Sequence, residues 1–327
     1  MKHRRLLVAS LLLSLGVLVA LLALLDPGQL ARFARLDFRW LLAGLGVYLA
    51  NYLFRAWRFR LLLGGHAIPW LRLLGIVQVH GALNYLLPAR LGELAFPVLI
   101  KRLNRTEYSL GAASLLAARS LDLAALLLAL PLALAISSHR LPAWAAPAAL
   151  ALAVAVGAAL ALGARWLGAP PETTGEAPTP ATRSEAPSGR LRAFARRTWA
   201  HLRQGLRPRA LPALIAASLG IWLCIALNFH LLLAAMGLRI DFFAAFAIVL
   251  AMIPLSLLPV QGFANLGTHE AAWIGTLALF GLKLDEANAV AAISHLVLFV
   301  YVSLLGVGGV AMIAIAERRW PSPSPSP

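Results

Sequence analysis

The sequence predicts an all-α integral membrane protein with six full transmembrane helices and two re-entrant helical hairpins, related as an inverted repeat. Three observations predict it. The 327 residues are 61% hydrophobic and 13% charged, with a mean hydropathy of +0.80, far from the balance of a soluble domain. Several apolar runs reach the roughly 20 residues that a hydrocarbon core of about 30 Å requires. Two further apolar regions, 71–100 and 242–280, are broken near their middles by Pro, Gly and charge, so neither reads as one straight spanning helix.

The full spans are read at Leu6–Leu25, Trp40–Phe54, Ser109–Ile136, Trp144–Ala164, Leu211–Ala235 and Ala289–Ala316. The first follows Lys2, Arg4 and Arg5, as a signal peptide would. Its run is longer than a typical signal core and no Ala-x-Ala site precedes Asp26-Pro27, so it reads as a retained helix. Residues 1–164 then form a first membrane half holding the hairpin at 71–100, and 211–316 a second half holding the hairpin at 242–280. Between them, 165–210 is a cytoplasmic linker, and 317–327 is a disordered Pro-Ser tail. Residues 169–189, rich in Pro, Thr, Glu, Ser and Gly, bury too little apolar surface to order themselves. From Arg190 to Arg209, Leu191, Phe194, Leu202 and Leu206 fall at near-helical spacing among seven arginines, with Trp199 nearby. That is the pattern of an interfacial helix on anionic lipid; a solvated basic loop and a partner-binding segment fit the same composition.

Charge orients these elements. The net charge of +16, from 29 Lys and Arg against 13 acids, would suggest nucleic acid in a soluble protein. In a membrane protein the basic residues collect on the cytoplasmic side. Placing the N-terminus, 55–72, 90–105, 165–209 and the C-terminus inside gathers 22 of the 29, with Arg32, Arg35, Arg39, Arg140, Arg239 and Lys283 outside and Arg119 within a span. Both termini then face the cytoplasm. The first hairpin enters from the cytoplasm and the second from the outer side. Both breaks read Leu-Leu-Pro, spacer, Gly, Glu: Leu86-Leu87-Pro88 leads to Gly92-Glu93, and Leu257-Leu258-Pro259 to Gly267 and Glu270.

The breaks hold most of the candidate substrate-binding residues. In the first, Asn84 precedes Pro88, which removes a backbone donor and disfavours helix at Leu87, and Gly92 permits a chain reversal. Arg90 beside the resulting helix end is suited to hold a phosphate bidentately, with Glu93 restraining it or exchanging a proton; mutual neutralisation at the membrane surface is the alternative. In the second, Gln261, Asn265, His269 and Glu270 interrupt apolar sequence as a cavity lining does. Ionised Glu270 needs a cation or several donors, and protonated Glu270 is a proton carrier; an ion pair with an arginine across the hairpins is the structural alternative. Arg119 and Asp122 share one helical face at about mid-depth. Each alone costs about 2.5–3.5 kcal/mol on insertion scales, so both face protein or water, as a helix-locking pair or as substrate contacts. Pro88, Gly92, Pro259, Gly262 and Gly267 are the candidate hinges.

Other chemistries find no pattern. His80, His230, His269 and His295 fall in apolar segments, and His269-Glu270 opens like a zinc-protease helix, but Trp273 stands where the second histidine would be. No phosphate-binding Gly-Lys-Ser/Thr loop is present, and the single cysteine, Cys224, forms no intrachain disulfide. No metal or other cofactor is expected.

Asn84 with Leu87-Pro88-Ala89-Arg90-Leu91-Gly92-Glu93, Arg119 with Asp122, and Pro259, Gly262, Gly267 and Glu270 together resemble the lysylphosphatidylglycerol synthase transmembrane family, also described as flippase-like. The resemblance extends over nearly the whole chain, although Phe263-Ala264-Asn265 occupies a loop where the family pattern is Gly-Gly-x-Gly-x-x-Glu. It implies a bacterial inner-membrane protein, not an enzyme, that moves lipids between leaflets through re-entrant helices of two pseudo-symmetric halves. The soluble aminoacyl-transfer domain of larger relatives has no counterpart in these residues. The expected cargo is an anionic or zwitterionic phospholipid or a polyprenyl-phosphate-linked glycolipid. Expected partners are membrane lipids, with a separate cytoplasmic or membrane transferase and a second copy of the chain as further candidates, and no nucleic acid. The rival readings are a non-catalytic accessory protein for envelope glycolipid synthesis and an intramembrane enzyme.

Overall fold

A computed structural model describes residues 35–64, 66, 68–136, 187–256 and 262–320, with isolated positions at 28 and between 144 and 158. The span at Leu6–Leu25, most of that at Trp144–Ala164, nearly all of the 169–189 linker, Pro259, Gln261 and residues 321–327 of the tail lie outside the described residues.

The described residues form helices and no strand. In order they are α1 (Phe38–Leu62), α2 (Trp70–Leu86), α3 (Ala95–Asn104), α4 (Tyr108–Ile136), α5 (Pro187–Gly205), α6 (Leu211–Ala235), α7 (Phe242–Ser256), α8 (Thr268–Leu279) and α9 (Leu284–Arg319). Short 3-10 segments at Pro88–Leu94 and Phe263–Asn265 occupy the two breaks. Local sequence accounts for several boundaries. Asp37 caps α1 by accepting from Arg39 N at 2.9 Å. Asp285 and Glu286 open α9 while Arg318 and Arg319 close it, matching its dipole at both ends. Leu87 is extended, at φ −82° and ψ 136°, as the residue before a proline prefers, and α2 stops there.

Three helices, within α4, α6 and α9, are long and apolar enough to cross a membrane among the described residues, with mean hydropathies of 1.5, 1.9 and 2.4. The chain is a multi-pass membrane protein. Several boundaries differ from the sequence reading: α9 spans Leu284–Arg319 against the Ala289–Ala316 read, so Glu317 to Arg319 are helix and not tail, and two others have a local cause. Helix α1 runs past Phe54 to Leu62, because Arg55 and Arg58 find partners inside the protein instead of ending the helix at the surface. The basic helix α5 begins at Pro187, inside the stretch read as linker, with proline at a helix start where its missing N–H costs nothing.

One element order occurs twice: long helix, helix–break–helix, long helix. Helices α1 and α6 pack antiparallel, α2 packs on α9 as α7 packs on α4, and α3 packs on α4 as α8 packs on α9. The α2–α9 crossing is close enough that a Cβ on Gly75 would sit 2.7 Å from the Gly309 carbonyl oxygen. The first helix–break–helix unit opens and closes at one end of the bundle, where Arg72 at the start of α2 donates to Leu103 O at the end of α3 (3.3 Å) and to Trp320 O after α9. The second opens and closes at the other end, where Asp37 N donates to Ala235 O at 3.1 Å. The breaks meet between the ends, over a small apolar cluster of Leu86, Ala264, Leu296 and Phe299.

Candidate functional site: an arginine-lined cavity where the breaks meet

The first break is held in an irregular shape. His80 on α2 donates from Nδ1 to the Gly92 carbonyl at 3.2 Å, which requires the Nδ1–H tautomer. A Cβ on Gly92 would lie 2.3 Å from Asn84 Cα, so only glycine lets the segment fold back on α2. Arg90 adopts φ 57°, the left-handed region that glycine occupies without strain.

Beside this turn runs a chain of charges from three elements. Arg58 on α1 grips Asp122 on α4 bidentately, at 2.6 and 3.2 Å, and donates to Ser218 on α6 at 3.3 Å. Arg119 reaches the other way, to Glu93 at 2.5 and 3.3 Å, and touches Asp122 at 3.2 Å. The Arg58 side chain is 2% exposed, whereas that of Arg119 is 37% exposed. The first pair is therefore a buried lock, and the second opens on solvent-accessible space. Arg55, one turn before Arg58, donates to Asn51 at 2.7 Å and lies over the Tyr52 ring; Asn51 in turn donates to Ile221 O on α6.

That space is a cavity in two adjoining compartments of about 180 and 390 Å³, which share Arg55, Asn84 and Arg119 as a common wall. Tyr48, Tyr52, Tyr85 and Asn265 extend the first; Arg90, Glu93, Asp122 and Trp222 extend the second. Among the described residues the walls carry four arginines, Arg55, Arg58, Arg90 and Arg119, against two carboxylates, Glu93 and Asp122. Asn84 Oδ1 is buried with no hydrogen-bond partner among them. The balance is positive, the walls offer guanidinium, phenol and amide donors, and the surroundings are apolar. Such a site binds a phosphate or carboxylate better than a cation.

The second break makes a separate polar knot. Glu270 accepts from Gly267 N at 2.7 Å, capping α8, and from His295 Nδ1 on α9 through its other oxygen. Its neighbour His269 meets Ser294 Oγ at 3.0 Å. Ser294 spends its own proton on Ala291 O, so His269 is the donor, from Nε2. Two consecutive residues of α8 thus grip two consecutive residues of α9. Tyr85, from the first break's helix, donates to His295 O at 3.4 Å. Among the described residues no three His, Cys, Asp or Glu side chains are placed to hold a metal ion.

Of the residues singled out in the sequence, Asn84, Arg90, Glu93, Arg119, Asp122 and Asn265 line the cavity. His269 and Glu270 instead form the knot beside it, and Gln261 lies outside the described residues. Glu270 is partnered by a histidine and a backbone amide, not by an arginine across the breaks. Gly262 is confined by Leu266 O, 2.5 Å from where its Cβ would be, and Gly267 takes φ 83°. Sequence reasoning missed Arg55 and Arg58, placing them in a cytoplasmic loop. Their signal was present: Asn51, Arg55 and Arg58 recur at helical spacing on one face, which carries α1 inward past its last apolar run.

No curated protein matches the chain. Compared with known families, residues 7–306 match the one described as the lysylphosphatidylglycerol synthase TM region, a match that takes in the bundle, both breaks and the cavity between them. The chain belongs to the lysylphosphatidylglycerol synthase TM region family.

Proposed function

We propose that this protein is a lipid flippase-like transporter of the bacterial inner membrane and performs no covalent chemistry. It carries an anionic or zwitterionic phospholipid, or a polyprenyl-phosphate-linked glycolipid, between leaflets. The observation that supports this is the excess of arginine over carboxylate in a cavity within an apolar bundle, at the point where the two breaks touch. Arg90 and Arg119 hold the headgroup phosphate, Arg55 and the tyrosines line its path, and the acyl or prenyl chains stay in lipid. Arg119 is suited to trade partners, since its guanidinium is partly exposed to the cavity while that of Arg58 is buried against Asp122. In this reading the two breaks belong to re-entrant hairpins of an inverted repeat, entering from opposite faces, and both termini are cytoplasmic. The two hairpins then rock against the bundle to expose the cavity alternately.

Reconstituted protein is expected to move fluorescent phosphatidylglycerol between leaflets, measured by dithionite quenching. R90G is the decisive variant, because glycine relieves the left-handed backbone while removing the guanidinium. Transport should fall about tenfold or more, for the loss of one charge-assisted contact, with no loss of thermal stability. Unchanged movement of phosphatidylglycerol and of a polyprenyl-phosphate probe in R90G would remove the cavity from the mechanism.

A further inference from the structure

A second basic cleft lies away from the transport cavity, where α5 crosses the connection between α3 and α4. It encloses about 430 Å³ and is lined by Lys101, Arg105, Thr106, Tyr108, Phe194 and Arg197, with Glu107 and Ser109 at its side. We infer that this cleft binds the phosphodiester headgroup of an anionic glycerophospholipid from the surrounding leaflet, as a site that clamps α5 to the bundle and takes no part in transport.

Four observations carry the assignment. Three cations converge on the cleft, and its single carboxylate, Glu107, is already engaged by the Ser109 hydroxyl at 2.8 Å and lies 3.7 Å from His201 Nε2. Among the described residues the cations of the lining therefore outnumber its carboxylates. Thr106 Oγ1, in the lining, is buried without a hydrogen-bond partner among the described residues, a donor placed for an oxygen-rich ligand. Arg105 stands at φ 53° as the C-cap of α3, a position where glycine would sit without strain, so a guanidinium is kept there against the backbone's preference. Finally, Tyr108 and Phe194 are 40% and 41% exposed at the mouth, at the polar end of membrane-spanning helices, where aromatic rings mark the boundary between headgroups and chains. Lys101 Nζ lies 4.1 Å from the Tyr108 ring centroid, which points the ammonium across the mouth. Cationic walls with aromatic lips suit a lipid better than a soluble anion or an acidic peptide, because one end of the ligand is wet and the other apolar.

The experiment uses the full chain purified in neutral detergent. Added phosphatidylglycerol should raise the melting temperature and be retained in native mass spectra, whereas phosphatidylcholine and inorganic phosphate should do neither. R105G should melt at or above the wild-type temperature without lipid, yet bind phosphatidylglycerol about tenfold more weakly, and the K101A/R197A double variant should lose binding likewise. R90G should lose transport, while adding R105G to it should lower the response to phosphatidylglycerol by the same factor as in the wild type, which separates this site from the transport cavity; transport can then fail while the inference stands, and the reverse. Equal protection by inorganic phosphate, an unaltered lipid response in both cleft variants, or no further fall in the response when R105G is added to R90G would each overturn it.

Discussion

Among single residues, Asp122 has the heaviest duty, because among the described residues it alone neutralises the buried Arg58 guanidinium while also touching Arg119. D122A leaves that guanidinium buried without its carboxylate and is expected to cost about 3–5 kcal/mol, read as a fall in melting temperature. E93Q should cost far less, since its partner Arg119 is partly exposed. A melting temperature lost equally in both variants would mean that the two pairs are not the separate lock and opening described above. Glu270 belongs to a third kind. Its capping of α8 survives in E270Q but not in E270A, so the alanine variant should lose about 1 kcal/mol more than the glutamine variant. The sequence pointed to Asp122 and Glu270 as costly intramembrane charges and to Arg119 as a partner of Asp122, which it contacts at 3.2 Å, but not to Arg58 or His295. Arg58 and His295 lie 64 and 25 residues away from them, and no spacing rule connects positions brought together only by helix packing.

Among elements, the crossing of α2 and α9 depends on backbones in near contact. Neither helix tolerates bulk there, and G309V should cost about 1–3 kcal/mol by forcing the helices apart, with a matching loss of transport. Helix α5 responds to pH in a defined direction. Donation from Ser109, then the nearby positive charges of Arg197 and His201, hold the Glu107 carboxyl below its usual range. A carboxyl lowered on folding contributes stability above its unfolded value and loses it as pH falls through the folded one. Docking of α5 should therefore weaken on acidification below about pH 4, detected as increased protease cleavage within 187–205, and E107Q should remove that dependence. The existence of most elements was legible from hydropathy, and Leu211–Ala235 matches to the residue. The end of α1 was not, because a hydropathy window cannot tell an arginine that leaves the membrane from one that turns inward to a carboxylate on α4.

For the whole molecule, charge divides the two ends. Arg60, Lys101, Arg102, Arg105, Arg196, Arg197, Arg203, Arg207, Arg209, Arg318 and Arg319 lie at the end that holds α5, against Glu107 and Glu317. At the opposite end Arg35, Arg39, Arg239 and Lys283 stand beside Asp37, Asp241, Asp285 and Glu286, in balance. The basic end is thus expected inside. With the buried Cys224 replaced by serine, a cysteine at Ala200 should react with an impermeant maleimide only in inverted vesicles, and one at Asp285 only in intact spheroplasts. Labelling in the reverse sense would turn the proposed topology over. The pairing of like elements across the bundle was readable only as two Leu-Leu-Pro breaks with a following Gly and Glu, since the packing that relates α2–α9 to α7–α4 leaves no local trace in a leucine-rich chain.

That division of charge bears on how such a chain can be made at all. Helices α1 and α6, which open the segments 38–136 and 211–319, run antiparallel, so in the proposed topology the two segments take opposite orientations in the bilayer. Each is marked accordingly: Arg60, Lys101, Arg102 and Arg105 stand at the basic end of the first, while Arg207 and Arg209 before α6 and Arg318 and Arg319 after α9 mark the second at its two ends. The charges that would orient each half thus lie outside the cavity, which is built from side chains of both halves.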